Sequence, residues 1–436
     1  MSRTPSRSRR RLAVAASSAI ALAALTACSS AGGGDASAKL EATGDITIWY
    51  SNNEQEVAWG KQMVEAWNAD HPDEQITGQE IPAGKSSEEV IGAAITAGNA
   101  PCLIFNTAPS AVGQFQKQGG LVDLSSFPDG ASYIEERSGD SAEQYQGEDG
   151  GYYQMPWKSN PVMIFYNKDL FRQAGLDPEA PALSTYDDFL ATSKTLVDAG
   201  VAPNAILPAP TSEFFQTQFD FYPLYAAQSD GAQLVEDGKA TFADEAGYAA
   251  ADFWASLYSE GLAGQEAYTG DSFADGQAAM SIVGPWAVSV YQDKVDWGSV
   301  PVPTADGKPA DEVYTFSDAK NVGLYSACEN QATAWEVLKF ATSEEQDGQL
   351  LELTGQMPLR TDLQGTYADY FTANPAYTQF GDQAARTVEV PGGPTTVEML
   401  QAFRDAWSKA VIFGEGDVHD ALDEAAAQID ELAAQG

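Results

Sequence analysis

A distinctive stretch of the sequence is Phe273-Ala274-Asp275-Gly276-Gln277-Ala278-Ala279-Met280-Ser281-Ile282-Val283-Gly284-Pro285-Trp286. Its small and apolar residues end at Gly-Pro-Trp, and the dipeptide Gly-Pro is typical of a turn. On either side of this stretch, short β-prone runs alternate with segments of helical spacing. Three of these runs are predicted strands: Ile46–Tyr50, Leu103–Phe105 and Val162–Tyr166. Repeated βα units along so long a chain favour an α/β protein of two lobes over a single sheet.

Further distinctive stretches follow one another in a fixed order around the first. They are Phe165-Tyr166-Asn167-Lys168-Asp169-Leu170-Phe171 with Ala174-Gly175-Leu176, Thr185-Tyr186-Asp187-Asp188-Phe189, Thr315-Phe316-Ser317-Asp318-Ala319-Lys320-Asn321, Ala334-Trp335-Glu336-Val337-Leu338-Lys339-Phe340 and Gly355-Gln356-Met357-Pro358-Leu359-Arg360. Together the stretches resemble the extracytoplasmic solute-binding proteins that feed sugars to ATP-binding-cassette importers, the maltose-binding-protein-like group. Each motif is weak alone, and the resemblance rests on the ordered set.

The resemblance implies two α/β lobes that are joined by crossing hinge strands and close around a ligand. By analogy, lobe 1 holds residues 40–154 and 317–356, and lobe 2 holds residues 155–316 and 357–436. It also implies a non-enzymatic, monomeric receptor that captures a carbohydrate and delivers it to membrane permease subunits. No cofactor is expected.

A sugar-binding site stacks aromatic rings on the faces of the sugar and places planar polar groups around its edge. Several aromatic and polar residues fall where strands should end or where the resemblance places the cleft. The candidate ligand-binding residues are Asn52, Asn53, Glu54, Asn106, Thr107, Trp157, Glu213, Gln216, Trp286, Asp318 and Arg360. Trp286 is the first candidate for stacking. For Trp157 the sequence leaves core packing open, and for Arg360 it leaves a structural ion pair open.

The N-terminus has the pattern of a secretory signal peptide. Five arginines precede an apolar run from Leu12 to Leu25, which is too short to span a bilayer stably. Leu25-Thr26-Ala27-Cys28 resembles a bacterial lipobox, which implies cleavage after residue 27 and a lipid on Cys28. The Ser/Gly/Ala-rich residues 28–39 predict a flexible tether. We therefore expect the protein outside the cytoplasm, anchored to the outer face of the cell membrane.

Charge and composition exclude several classes of function. The 436 residues carry 63 acids against 23 basic side chains, and loss of the five arginines takes the net charge from -40 to -45. Nucleic-acid binding is therefore not expected, because phosphate contacts need clustered Lys and Arg. With two histidines and three cysteines, a zinc site or a Ser-His-Asp triad is not expected either.

Two alternatives to a sugar receptor stay open at the level of sequence. The acids are too many to exclude the carboxylate pair of an exported glycoside hydrolase by counting. A receptor of the same fold for a non-sugar solute, such as a polyol phosphate or a peptide, is the other alternative.

Cys102 and Cys328 remain in the body of the chain, 226 residues apart. An even pair in an oxidising compartment can form a disulfide, but the sequence gives no distance between them and leaves the bridge open.

Overall fold

The computed structural model describes residues 33–51, 54–83, 86–147, 149–208, 217–291, 293–390 and 392–435. Within these ranges, every helix is too short or too polar to cross a membrane.

The first lobe is built on a five-stranded sheet of order β2-β1-β3-β12-β4. Its strands are β1 (Ile46–Tyr50), β2 (Ile76–Glu80), β3 (Leu103–Thr107), β4 (Met155–Lys158) and β12 (Lys320–Leu324). β1 runs parallel to β2 and β3, while β12 is antiparallel to both β3 and β4. The strands predicted at 46–50 and 103–105 are confirmed. Because β4 pairs with β12, the chain leaves this sheet only after Lys158, four residues later than the predicted boundary at 154.

The second lobe is built on a four-stranded sheet of order β10-β5-β9-β6. Its strands are β5 (Met163–Asn167), β6 (Asn204–Ile206), β9 (Ala278–Val283) and β10 (Trp297–Val300). β5 confirms the strand predicted at 162–166, and β9 lies within the stretch from Phe273 to Trp286. Two small ladders complete the strands: β7 (Val235–Glu236) with β8 (Lys239–Ala240), and β11 (Thr315–Phe316) with β13 (Thr387–Val388).

Helices cover the sheets. They are α1 (Gly33–Leu40), α2 (Glu54–Asp70), α3 (Ser87–Ala97), α4 (Pro109–Lys117), α5 (Gly130–Ser138), α6 (Lys168–Gln173), α7 (Tyr186–Asp198), α8 (Phe221–Gln228), α9 (Glu245–Ser259), α10 (Trp286–Tyr291), α11 (Gln331–Ala341), α12 (Glu344–Thr354), α13 (Leu363–Thr366), α14 (Ala368–Ala373), α15 (Thr378–Gln383), α16 (Thr396–Trp407) and α17 (Val418–Ala433). Thr185 caps α7, since its hydroxyl accepts from the Asp188 amide. The last helix, α17, buries Leu422, Ala425 and Ile429 on one face.

Helix α1 lies in the segment predicted as a flexible tether. Its alanines favour a helix, and Lys39 near its end forms an ion pair of 2.6 Å with Glu329. Residues 33–39 of that segment therefore form part of α1, while its residues 28–32 lie outside the described residues.

A disulfide joins Cys102 to Cys328, with a Cα–Cα distance of 4.5 Å. Cys102 precedes β3 and Cys328 follows β12, and both side chains belong to the buried core of the first lobe. The bridge that the sequence left open is therefore present, at the edge of the sheet where β3 begins and β12 ends.

Candidate functional site

The two sheets present their strand ends to each other. In the first sheet, β1, β3 and β4 end at the same edge, where β12 begins. In the second sheet, β6, β9 and β10 end at the edge where β5 begins. Residues 159–162 connect β4 to β5, so the two edges lie on either side of this short crossing. Ligands of α/β proteins bind in crevices at the carboxyl ends of strands, which makes this cleft the candidate site.

Trp286 lies on the second-lobe side of the cleft, directly after β9 and the Gly284-Pro285 turn. Its side chain is half-buried, and its ring centroid lies 6.4 Å from that of Phe219 in an edge-on arrangement. A Cβ atom placed on Gly284 would lie 1.9 Å from the indole. The indole therefore folds back over the glycine backbone, a position that only glycine permits.

A buried ion pair closes the first-lobe side. The Lys158 side chain is fully buried, and its Nζ lies 3.0 Å from Glu56 Oε1 and 3.0 Å from Asn106 Oδ1. Gln356 donates to the same Glu56 oxygen at 2.7 Å. Burial works against the charged form of Glu56, but Lys158 and these hydrogen bonds outweigh it and lower the pKa of Glu56. The pair holds α2 and β4 together at the floor of the cleft.

A second ion pair lies beside the first. Lys320 Nζ lies 2.5 Å from Asp318 Oδ1, and both side chains are about a quarter exposed. Burial lowers the pKa of Lys320, but Asp318 outweighs that effect and the pKa is raised. One carboxylate oxygen of Asp318, a predicted ligand-binding residue, is thus paired with Lys320.

Glu389 connects the two lobes. It follows β13 in the second lobe, and its Oε1 accepts from the Tyr145 hydroxyl of the first lobe at 3.1 Å. Its backbone amide donates to Gln144 Oε1 at 3.1 Å, and its carbonyl accepts from the Tyr222 hydroxyl. Burial raises the pKa of Glu389 to about 8, although Tyr145 and Lys320 act in the opposite direction.

Two predicted ligand-binding residues belong instead to the protein interior. Trp157 is 1% exposed, with its ring packed 5.0 Å from that of Trp59 and 5.2 Å from that of Phe105. Thr107 is completely buried, and its hydroxyl donates to the Ile104 carbonyl at 3.2 Å. We correct the prediction for both, because neither side chain has a surface open to the cleft.

Arg360 takes the structural role that the sequence left open. Its Nη1 lies 3.1 Å from Asp347 Oδ2, and its side chain is 11% exposed. Asp347 is also held by Arg137 at 2.8 Å, so one buried carboxylate joins two guanidinium groups. Burial raises the pKa of Asp347 to about 6, against the effect of both arginines. Arg360 is a member of this buried cluster rather than a free donor in the cleft.

The remaining predicted residues are placed as follows. Asn106, the next-to-last residue of β3, has a left-handed backbone (φ 66°), and its amide oxygen accepts from Lys158. Glu54 is the first residue of α2. Asn52, Asn53, Glu213, Gln216 and the lipidation candidate Cys28 lie outside the described residues.

The residues that sequence reasoning missed are polar groups that are buried or half-buried: Glu56, Tyr145, Lys158, Lys320, Gln356 and Glu389. Lys158 directly follows the candidate Trp157, and Lys320 lies two residues after the candidate Asp318, so their position at strand ends was the available signal. Glu389 follows a two-residue strand in an alternating Thr-Val-Glu-Val segment, which carries no local sign of an inter-lobe contact.

Several spaces lined by described residues open between the lobes. One, of about 750 Å³, has carboxylates and amides in its lining, among them Asp140, Gln144, Gln233 and Glu236. Another, of about 450 Å³, lies between residues 138–141 and the segment from Thr361 to Ala385. A third, of about 440 Å³, is a groove between the end of α12 and the segment from α14 to Tyr377, and Ser289 of α10 also lines it. Within the described residues, His, Cys, Asp and Glu side chains form no group suited to a metal ion.

Comparison with known proteins places the fold and the family. A family model described as bacterial extracellular solute-binding protein matches residues 51–348. The crystal structure of the cyclic alpha-maltosyl-1,6-maltose binding protein from Arthrobacter globiformis superimposes with a TM-score of 0.77 at 22% identity, covering 90% of this chain and 100% of that one. The fold is thus the two-lobe binding-protein fold.

Two curated relatives indicate the range of the family. The diacetylchitobiose binding protein DasA of Streptomyces coelicolor is 25% identical over 337 residues, which are 73% of this chain and 74% of that protein. The sn-glycerol-3-phosphate-binding periplasmic protein UgpB of Shigella flexneri is 28% identical over 181 residues, 37% of each chain. Because the family model spans more than half of the sequence and the two-lobe fold agrees with it, this chain belongs to the bacterial extracellular solute-binding proteins.

Proposed function

We propose that this protein is a lipid-anchored, non-enzymatic receptor that binds a sugar or oligosaccharide outside the cell and delivers it to an ATP-binding-cassette importer. The observation that carries the proposal is the position of Trp286. Its half-buried indole stands at the end of β9, on the edge that faces the first lobe. An aromatic face at a cleft of polar groups suits the C–H face of a pyranose ring.

The charges of the cleft favour a neutral ligand over an anion. Among the described residues of the first-lobe edge, Lys158 is paired with Glu56 and Lys320 with Asp318. A phosphate needs basic groups whose charge is not already neutralised. The likeness to UgpB makes glycerol 3-phosphate the second candidate ligand, and these pairs count against it. The relatives and neighbours named for chitobiose and maltosyl sugars support the first candidate.

The proposal also includes attachment to the membrane and delivery of the ligand to the importer. Leu25-Thr26-Ala27-Cys28 supports a lipid on Cys28 after cleavage. Closure of the lobes around the ligand would present both lobes to the permease in one geometry, because only the closed form fixes their relation. We expect Cys28→Ala to move the protein from the membrane fraction of a bacterial host to the soluble fraction, and an unchanged distribution would contradict the anchor.

The test of the ligand class is a thermal-shift panel on the soluble body, followed by calorimetry. The panel contains malto-oligosaccharides, chito-oligosaccharides, monosaccharides and glycerol 3-phosphate. We expect an oligosaccharide to raise the melting temperature, and Trp286→Ala to weaken its binding about tenfold or more through the lost stacking surface. A shift with glycerol 3-phosphate alone, or slow hydrolysis of an oligosaccharide during the assay, would overturn the proposal.

A glycine pair provides the matched control for Trp286. Gly284→Ala keeps Trp286, but the added methyl group would occupy the space in which the indole lies. We therefore expect a loss of sugar affinity close to that of Trp286→Ala. Gly92→Ala adds the same methyl group in α3, where the nearest atom, on Phe115, lies at an ordinary 3.7 Å. Sugar affinity should survive this change.

A further inference from the structure

A carboxyl group that the proposed ligand site does not use is buried where the lobes meet. Glu389 follows β13 in the second lobe and is 2% exposed, and Tyr145 of the first lobe is 4% exposed. The Tyr145 hydroxyl donates to Glu389 Oε1 at 3.1 Å. Within the described part of the chain, the other carboxylate oxygen of Glu389 is buried without a hydrogen-bond partner. The contact between the lobes thus encloses a carboxyl group that accepts its hydrogen bond from the opposite lobe.

The backbone around Glu389 is joined to the first lobe as well. Gln144 and Tyr145 lie in the 3-10 helix Gly139–Tyr145. The Gln144 side chain accepts from the Glu389 amide at 3.1 Å and donates to the Thr387 carbonyl at 3.4 Å. Separation of the lobes would break these hydrogen bonds together with that of Tyr145, and water would then reach the carboxyl group.

The charges around Glu389 favour its neutral form. Lys320 of β12 acts on the carboxyl group, but Lys320 Nζ lies 2.5 Å from Asp318 Oδ1, so its charge is already matched. Glu88 of α3 acts on Lys320 too. Burial raises the pKa of Glu389 to about 8, although Tyr145 and Lys320 act in the opposite direction. The titratable groups that face Glu389 are Tyr145, Tyr222, Asp318 and Lys320.

We propose that closure of the two lobes takes up one proton on Glu389, so that solute capture strengthens as the pH falls. With the lobes apart, water hydrates the carboxylate and favours its ionised form; with the lobes together, the neutral acid is favoured. The proton comes from the solvent and forms one O–H bond on the carboxyl group. The coupling does not depend on which solute binds, and it rests on the proposed function only through the step in which the lobes close around a ligand.

The first test needs no ligand. Small-angle scattering measures the radius of gyration of the unliganded soluble body at pH 6 and at pH 9, for wild type, Glu389→Gln and Glu415→Gln. Glu389→Gln keeps an acceptor for Tyr145 but cannot ionise, whereas Glu415 is an exposed glutamate. We expect wild type and Glu415→Gln to expand between these two pH values, because an ionised Glu389 favours separated lobes. Glu389→Gln should keep one radius at both.

The second test counts protons during binding. Calorimetry with maltotriose and with chitotriose, in phosphate and in Tris buffer at pH 7, gives the number of protons that binding takes up. A group whose pKa is about 8 is roughly nine-tenths protonated at pH 7, whereas a group at the ordinary 4.5 is almost fully ionised. We expect binding to wild type to take up about 0.9 proton more than binding to Glu389→Gln. Between pH 6 and pH 7, wild-type affinity should fall about ninefold relative to that of Glu389→Gln.

Tyr145→Phe checks that the response belongs to this contact. The Tyr145 hydroxyl lowers the pKa of Glu389, so its loss should move the expansion of the unliganded protein to higher pH. Equal proton uptake by wild type and Glu389→Gln would overturn the inference and leave sugar capture intact. If no sugar of the panel binds, the proposed function fails, and an equal response of the two radii to pH would overturn the inference as well.

Discussion

Glu389 carries a carboxyl group that is buried between the lobes. Its protonation state changes the free energy of unfolding of the protein. Burial raises its pKa to about 8 from an ordinary 4.5. The folded state therefore holds a proton that the unfolded chain releases at lower pH. This contribution to stability is complete below about pH 4.5 and is lost as the pH rises through about 8. Tyr145, Tyr222, Asp318 and Lys320 are the titratable groups around it.

We expect Glu389→Gln to remove this pH dependence. The amide keeps an acceptor for Tyr145 but cannot ionise, so its free energy of unfolding should fall less between pH 5 and pH 8 than that of wild type. The difference in slope is at most about 1.4 kcal/mol per pH unit for one proton. Urea unfolding at a series of pH values measures it, with Glu415→Gln as the control at an exposed glutamate. Parallel curves for wild type and Glu389→Gln would refute the role of this carboxyl.

At the level of single residues, local features are readable from the sequence. The Thr185 cap of α7 depends on a hydroxyl and the amide three residues later, and both residues stand in the stretch Thr185–Phe189. The prediction for Trp157 failed because all four residues of β4 are buried. The alternation of side chains along the strand therefore cannot distinguish a cleft face from a core face. Glu389 was missed because its partner Tyr145 lies 244 residues away.

At the scale of elements, β3 and β12 are antiparallel neighbours tied together twice. They share a ladder, and the Cys102–Cys328 disulfide links the segments at the edge of the sheet opposite the cleft. A bridge there restrains the unfolded chain without touching the groups that face the ligand.

We therefore expect the double variant Cys102→Ala with Cys328→Ala to lose stability and keep its affinity for sugar. The expected loss is about 2–4 kcal/mol. Melting curves with and without dithiothreitol measure it: the reductant should lower the melting temperature of wild type and leave that of the variant unchanged. The chain has three cysteines, so a soluble body without Cys28 contains no other thiol. Equal melting of wild type with and without reductant would show that the bridge contributes nothing.

Element order was largely readable from the sequence, whereas element boundaries were not. β1, β3 and β5 are short apolar runs bounded by turn residues, and each formed within a residue or two of its predicted range. The exit from the first sheet was misplaced because β4 owes its place to pairing with β12, which lies more than 160 residues later. Helix α1 formed in the predicted tether and is held by Lys39 on the surface of the first lobe.

For the molecule as a whole, one contact between the lobes is made by two glycines, so backbone lies directly against backbone. Gly113 in α4 of the first lobe lies against Gly393 of the second, and a Cβ on Gly113 would lie 2.2 Å from the Gly393 carbonyl oxygen and 2.7 Å from the Pro394 nitrogen. Because backbone atoms cannot turn away as a flexible side chain can, the two lobes hold this relation only with glycine at 113.

We expect Gly113→Ala to hold the lobes apart and weaken ligand binding while leaving each lobe folded. Alanine favours the helical conformation of α4, so thermal stability without ligand should stay the same or rise. Overpacking at this contact costs about 1–3 kcal/mol, which corresponds to a loss of affinity of about 5- to 150-fold. Small-angle scattering should show that sugar compacts wild type and Gly92→Ala but not Gly113→Ala. If Gly113→Ala compacts normally and binds with wild-type affinity, the glycine contact does not limit closure, and the lobes must close around the ligand in some other relation.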